Sequence, residues 1–217
     1  MPKTIGVIQV KGGTGRSTIA TNLAGELSKH GSTVLIDCDM PQGTSASWFV
    51  VREESKRNLF GSLKVDTAIN HRELVIKVEQ YADTDYIVLD GPPRIAEMTR
   101  AALVLADLCL VPVGASKAEI WATSDILELI KEARQVKPIN ARMLWTRHRP
   151  HTKLAQELTE LATKELGLTA LKSTLGMRVA YMEALGDGLT GAEMPDPHAR
   201  TEIENLINEA KVLLKKK

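Results

Sequence analysis

Hydrophobic positions along this chain gather in short runs rather than in strict alternation, and stretches of helical spacing separate the runs. The first run, TIGVIQV at residues 4–10, leads into a glycine cluster and then a helical pattern over 18–30, which predicts strand, loop and helix. Gly31 supplies a helix stop, and TVLI at 33–36 is β-branched, aliphatic and short enough for a buried parallel strand. The first βαβ unit therefore closes near Asp37. Residues 39–44 read as an irregular segment, followed by a polar stretch around 52–58, a weak strand near Leu63 and a helical pattern over 72–81. YIVL at 86–89 predicts a strand, 95–106 a helix, and LCLVPV at 108–113 a strand that Pro112 brings to its end. One long helical pattern covers 118–136, carried by Ile120, Ile126, Leu127, Ile130 and Ala133, and Lys137 with Pro138 marks its break. ARMLWT at 141–146 reads as strand, 151–166 as a helix stopped by Gly167, with a short strand near Ala170 and a helix over 179–185. A loop punctuated by Gly186, Gly188, Gly191, Pro195 and Pro197 precedes a terminal helix from about Ala199.

Apolar runs without a period of two, alternating with helices, predict an α/β fold: a doubly wound, mainly parallel sheet of about seven or eight strands covered on both faces. The length of 217 residues suits one such domain over 1–217, with its ligand at the C-terminal edge of the strands. Hydrophobic residues make up 43% and charged residues 25%, a composition that builds a core and excludes a disordered chain. No run approaches the ~18 apolar residues of a spanning helix, since 101–113 is interrupted by Asp107. The first ten residues lack the apolar stretch and cleavage site of a signal peptide. Twenty-eight Lys and Arg against 27 Asp and Glu leave a net charge of +1, so any basic binding surface is local. Cys38 and Cys109 show no metal or disulfide spacing, which fits a reducing, cytoplasmic setting.

The chemistry concentrates between the first strand and the first helix, at Lys11, Gly12, Gly13, Thr14, Gly15, Arg16, Ser17 and Thr18. Three glycines let backbone N–H groups converge on an anion, and the helix behind them adds its positive dipole end. The common phosphate loop GxxxxGK[ST] is matched at Gly15 and Ser17, but Val10 stands at its first glycine and Arg16 at its lysine. The variant KGGxxK[ST], with a lysine ahead of the glycines, is matched at Lys11, Gly12, Gly13 and Ser17, and departs only at Arg16. A nucleoside triphosphate with magnesium needs backbone donors, a hydroxyl for the metal and acidic groups at strand ends, and Ser17, Asp39 and Asp90 meet the last two needs.

With these residues in view, the chain resembles the ParA/MinD group of deviant Walker A P-loop ATPases, and more closely the small ParA partition ATPases, over nearly its whole length. Two further motifs carry the resemblance. Asp37 to Gly43 (DCDMPQG) is similar to the DxDPQG switch I segment with Met40 inserted before Pro41, and Val88 to Pro93 (VLDGPP) to the Walker B strand and switch II. The resemblance implies Ser17 as direct magnesium ligand, Thr18 at an α-phosphate, Asp39 in water activation and at the metal, and Asp90 holding the metal through water. It implies that Lys11 reaches across a sandwich dimer to the partner's nucleotide and neutralises charge in the transition state. ATP and Mg2+ are the implied cofactors. Arg16 keeps the charge of the usual lysine but presents a larger planar fork, so nucleotide binding with slow hydrolysis is one expectation, and harmless variation the other.

Other signals are open to two readings. Thr146 and Arg147 follow a strand where the family places a polar and basic pair near adenine, although an arginine at a strand end is often simply solvated. The loop over 186–197 suits the other side of the base or any connector. Lys172, Arg178, Lys211, Lys215, Lys216 and Lys217 are candidates for contact with nonspecific DNA, while terminal lysines also stabilise a helix end. Ile203, Leu206, Ile207, Ala210 and Leu214 form a stripe better suited to core packing than to a membrane anchor, and Glu202, Glu204 and Glu209 oppose lipid. Trp48 and Trp121 are both expected largely buried and carry no assigned role.

The implied function is an ATP-dependent partition ATPase, cytoplasmic and nucleoid-associated. ATP closes a homodimer, the dimer binds DNA without sequence preference, and a centromere-binding or cargo-adaptor protein stimulates hydrolysis and release. The chain starts at its first strand, so an N-terminal helix-turn-helix domain is not expected. The alternatives are a nucleotide-gated scaffold with little hydrolysis, motivated by Arg16, and a MinD-like membrane-positioning ATPase. An iron–sulfur reductase is disfavoured because Cys38 lies inside switch I and Cys109 in a strand.

Overall fold

The computed structural model describes residues 1–55, 62–93, 96–148 and 153–215, apart from the side chains of 153–155. Each apolar run becomes a strand whose successive side chains enter opposite layers, so the sheet needs helices on both faces. The strands are β1 (Lys3–Val7), β2 (Thr33–Asp37), β3 (Leu63–Thr67), β4 (Tyr86–Asp90), β5 (Leu108–Gly114), β6 (Ala141–His148) and β7 (Ala170–Gly176). They pair in parallel in the order β3-β2-β4-β1-β5-β6-β7. Winding outward in both directions from β1 opens a crevice beyond the strand ends, where a doubly wound fold takes its ligand.

The helices are α1 (Arg16–Leu27), α2 (Thr44–Glu54), α3 (His71–Gln80), α4 (Ala96–Leu105), α5 (Lys117–Trp121), α6 (Ser124–Ala133), α7 (Lys153–Leu166), α8 (Val179–Gly186) and α9 (Pro197–Lys215). Leu35, Val88, Leu110 and Leu144 face a core with α1, α2, α8 and α9. Ile36, Leu89, Val111 and Met143 face the other core, with α3 to α7. The α9 stripe Ile203, Leu206, Ile207, Ala210 and Leu214 is buried in the first of these cores. Two carboxylates of α9 also blunt the sheet edge: Glu209 accepts the N–H groups of Lys172 and Ser173 at 2.9 and 2.8 Å, and Glu202 that of Gly176 at 2.9 Å.

Three local expectations are corrected. Helix α2 stands where no helix is expected, because SASWFVV places its apolar residues consecutively rather than at helical spacing. Tertiary contacts fix it: the Asp37 carboxylate at the end of β2 accepts the N–H groups of Ser45 and Ala46, and the buried Trp48 indole donates to Leu189 O at 2.8 Å. The pattern over 118–136 is two helices, since the Thr123 hydroxyl donates back to Glu119 O at 2.8 Å and Gln9 Nε2 approaches that hydroxyl at 3.5 Å. Trp48 is buried as expected but Trp121, at the end of α5, is 61% exposed. Residues 56–58 of the polar stretch, Ile95, 151–152, Lys216 and Lys217 lie outside the described residues.

Candidate nucleotide site

The loop after β1 turns into α1 through Gly13 and Gly15, at φ 74° and 94°, a left-handed region where a side chain would be strained. Gly15 is the N-cap of α1 without a side-chain hydrogen bond to the helix, so the free N–H groups of its first turn face the crevice. Ser17 and Thr18 occupy that turn.

Two strand ends bring acids to the same place. Asp37 of β2 lies in register with Asp90 of β4, and both are fully buried. The Asp37 carboxylate accepts three backbone N–H groups, from Asp39, Ser45 and Ala46, at 3.0, 2.9 and 3.0 Å. Asp90 accepts the Ser45 hydroxyl through Oδ2 at 2.7 Å, while its buried Oδ1 has no hydrogen-bond partner. Burial, reinforced by the Asp37 carboxylate, pushes the Asp90 carboxyl up to about 7 against the opposing pull of Ser45, Ser17 and Arg16. A buried acid with an unpaired oxygen beside the Ser17 hydroxyl fits a hydrated divalent cation. Among the described residues no group of three or more His, Cys, Asp or Glu could hold a metal ion by itself.

Arg16 is only 7% exposed, and its guanidinium is taken up by acceptors of the chain itself. Nε donates to Gly91 O at 2.7 Å, Nη1 to Gln9 O at 2.9 Å and to Lys11 O at 2.6 Å, and Nη2 meets Asp39 Oδ2 at 3.5 Å. One side chain therefore ties the phosphate loop to both acid-bearing segments. Four of its five N–H donors are met by protein acceptors, which leaves one Nη2 N–H without a protein partner among these contacts.

Lys11 Nζ pairs with Glu119 Oε1 at 2.7 Å, and the same oxygen meets Arg147 Nη2 at 3.2 Å. Arg147 has φ 53°, the left-handed region that a non-glycine residue rarely takes. Beside it a cavity of about 250 Å3 opens over the loop, lined by Gly13, Thr14, Gly15, Thr18, Thr146 and Arg147, and on its far wall by Leu175, Met177, Arg178 and Tyr181. Thr146 Oγ1 is buried there without a hydrogen-bond partner. The far wall thus comes from the end of β7 and from α8, not from the loop over 186–197. That loop is clamped elsewhere: Arg52 donates to Gly188 O and, through both Nη atoms, to Glu193, and Asn22 Oδ1 accepts Gly191 N–H.

The structure thus gathers Lys11, Gly12, Gly13, Thr14, Gly15, Arg16, Ser17, Thr18, Asp39, Asp90, Thr146 and Arg147 at one sheet edge. Among the described basic candidates Arg178 stands apart from the lysines. Arg178 lines that cavity and is ion-paired to Glu202 at 2.7 Å and Asp196 at 3.8 Å, whereas Lys172 sits by Glu209 and Lys211 and Lys215 on the last turns of α9. Sequence reasoning left Ser45, Glu119 and Tyr181 unassigned: Ser45 acts on Asp90, 45 positions away, and Glu119 on Lys11, 108 positions away.

The AAA domain family matches residues 2–83. The maintenance of carboxysome distribution protein A of Halothiobacillus neapolitanus is 27% identical over 217 residues, covering 95% of each chain. The chromosome-partitioning ATPase Soj of Treponema pallidum is 27% identical over 228 residues, covering 87% of this chain and 88% of that protein. The fold superposes on the apo McdA structure from Cyanothece with a TM-score of 0.80 at 16% identity, covering 99% of this chain and 100% of that one.

Proposed function

The chain belongs to the ParA/MinD group of deviant Walker A P-loop ATPases, and on that premise we propose that it is a positioning ATPase. ATP closes a homodimer, the dimer binds DNA without sequence preference, and a cargo-bound partner protein triggers hydrolysis and release. The observation that carries this reading is the meeting, at one sheet edge, of a lysine-led glycine loop with Asp39 and Asp90.

In this reading the N–H groups of the loop and the first turn of α1 hold the triphosphate, and the cavity beside Thr146 holds the nucleoside. Ser17, Asp39 and Asp90 would hold Mg2+, which would supply charge neutralisation at the phosphates. Asp39 orients the attacking water, and Lys11 of one protomer stabilises the charge developing on the nucleotide of the other. Relatives named for carboxysome distribution and for chromosome partition support a protein assembly or a DNA molecule as the cargo. A centromere-binding or adaptor protein is the corresponding partner, and Lys172, Lys211 and Lys215, with Lys216 and Lys217, are the cations offered to DNA. The protein would work in the cytoplasm, on the nucleoid.

A second reading, a nucleotide-gated scaffold that hydrolyses little, draws on the engagement of Arg16 by four protein acceptors. Membrane positioning through α9 is disfavoured, because its apolar stripe is spent on the core. No described helix is long and apolar enough to cross a membrane.

The test is binding to a labelled nonspecific duplex with no nucleotide, with ADP and with ATP plus Mg2+, at two salt concentrations. Binding confined to ATP and weakened by salt is the expected result. Absence of binding in every state would remove the DNA-bound dimer.

A further inference from the structure

The lysine that the proposed dimer needs is already held by its own chain. Lys11 Nζ sits 2.7 Å from Glu119 Oε1, and Glu119 is 16% exposed against 37% for the lysine side chain. The acid is held firmly from behind. Its N–H is capped by the Ser116 hydroxyl at 3.2 Å, its carbonyl accepts the Thr123 hydroxyl at 2.8 Å, and the next residue, Ile120, is buried in the core. Gly114, at the end of β5, makes room for this arrangement: a Cβ there would stand 2.5 Å from Arg147 Nη2 and 2.9 Å from Glu119 Cγ. The same carboxylate oxygen holds Arg147, which lines the nucleoside cavity. One acid therefore couples the loop lysine to the wall of the base pocket.

We infer that Glu119 is a positioning residue that tethers Lys11 in cis, so that dimer closure must exchange the Glu119–Lys11 pair for contact between Lys11 and the partner's nucleotide. The inference rests on the sandwich-dimer reading above. Each closing dimer breaks two such pairs, so the tether raises the ATP-bound protein concentration at which dimers form. Solvent screens a pair whose lysine is 37% exposed, so losing both pairs shifts the dimer dissociation constant by no more than about tenfold.

Two measurements on Glu119→Gln test this, with Glu119→Asp as a second variant that keeps the charge but shortens the reach. The first is the rate of amine labelling at Lys11 in nucleotide-free protein, normalised to exposed Lys117 on the same helix. The second is the protein concentration at half-dimer in saturating ATP and Mg2+, by sedimentation velocity. Labelling of Lys11 is expected to rise several-fold in Glu119→Gln, less in Glu119→Asp, and the half-dimer concentration to fall by up to about tenfold. Unchanged labelling at Lys11 overturns the tether, whatever the dimer does. Faster labelling with no dimer in either protein leaves the tether standing and overturns the dimer reading. Faster labelling with an unchanged or higher half-dimer concentration shows that the tether does not oppose closure and overturns the inference.

Discussion

Arg16 offers the sharpest perturbation of the site. Its guanidinium spans acceptors on three segments, the Gly91 carbonyl, the Gln9 and Lys11 carbonyls, and Asp39, with distances of 2.7, 2.9, 2.6 and 3.5 Å. A lysine at this position has donors on a single nitrogen and cannot serve the Gly91 carbonyl and the two loop carbonyls together. The change Arg16→Lys therefore strips a donor from at least one carbonyl. A charge-assisted hydrogen bond of this kind contributes ~1.5–3 kcal/mol, and the 7% exposure of Arg16 leaves little screening by solvent. For a domain of this size each kcal/mol moves the midpoint by ~2–4 °C, so nucleotide-free Arg16→Lys should melt roughly 3–12 °C lower. The assay is thermal unfolding by circular dichroism without nucleotide. A midpoint equal to or above that of the wild type would refute the argument that Arg16 braces the loop. The same variant releases Asp39 and frees a compact cation for the phosphates, so steady-state ATP turnover should rise. Equal turnover in the two proteins would remove the scaffold reading.

Three further outcomes follow from the structure. The carboxyl of Asp90 is raised from 3.8 to about 7, so between those values the native state keeps a proton that the unfolded chain has lost. Nucleotide-free stability should therefore fall as pH rises through this window, and Asp90→Asn should melt higher than wild type at pH 8 but not at pH 4, while losing Mg2+-dependent nucleotide binding. Arg52 is 5% exposed and bidentate to Glu193, so Arg52→Ala should cost ~3–5 kcal/mol in urea unfolding and Arg52→Ala with Glu193→Ala less than the sum of the two singles. Gly188 has φ 67° and a Cβ there would lie 2.4 Å from Arg52 N, so Gly188→Ala should destabilise even though alanine is small, and a neutral effect on the urea midpoint would contradict the close packing of this loop on α2.

The residues that make local structure were readable, and those that act across the sheet were not. Strands such as TVLI and YIVL are buried on both faces, so their composition alone identified them. The glycine loop and the acids Asp39 and Asp90 were legible because phosphate binding demands particular residue types at fixed spacing along the chain. Helix α2 was not, because its capping acid, Asp37, belongs to a strand and its anchor, Trp48, bonds a carbonyl 141 positions away. Glu119 stayed invisible for the same reason, since its partner Lys11 lies 108 positions earlier. The departure at Arg16 was plain in the sequence, whereas its inward turn toward backbone carbonyls depends on a packed environment that no spacing reveals. The far wall of the cavity was assigned to the glycine- and proline-rich loop over 186–197 as one option, and the structure gives it to Leu175, Met177, Arg178 and Tyr181.

The central claim is that this loop, with arginine in place of lysine, still couples ATP to assembly of two chains through Lys11. Sedimentation velocity of the wild-type protein in ADP with Mg2+ and in ATP with Mg2+, run beside Lys11→Ala, measures that coupling directly. The account predicts a monomer in ADP, a dimer in ATP and a monomer for Lys11→Ala in both; a wild-type chain that sediments identically in the two nucleotides, or a Lys11→Ala variant that still dimerises with ATP, would contradict it.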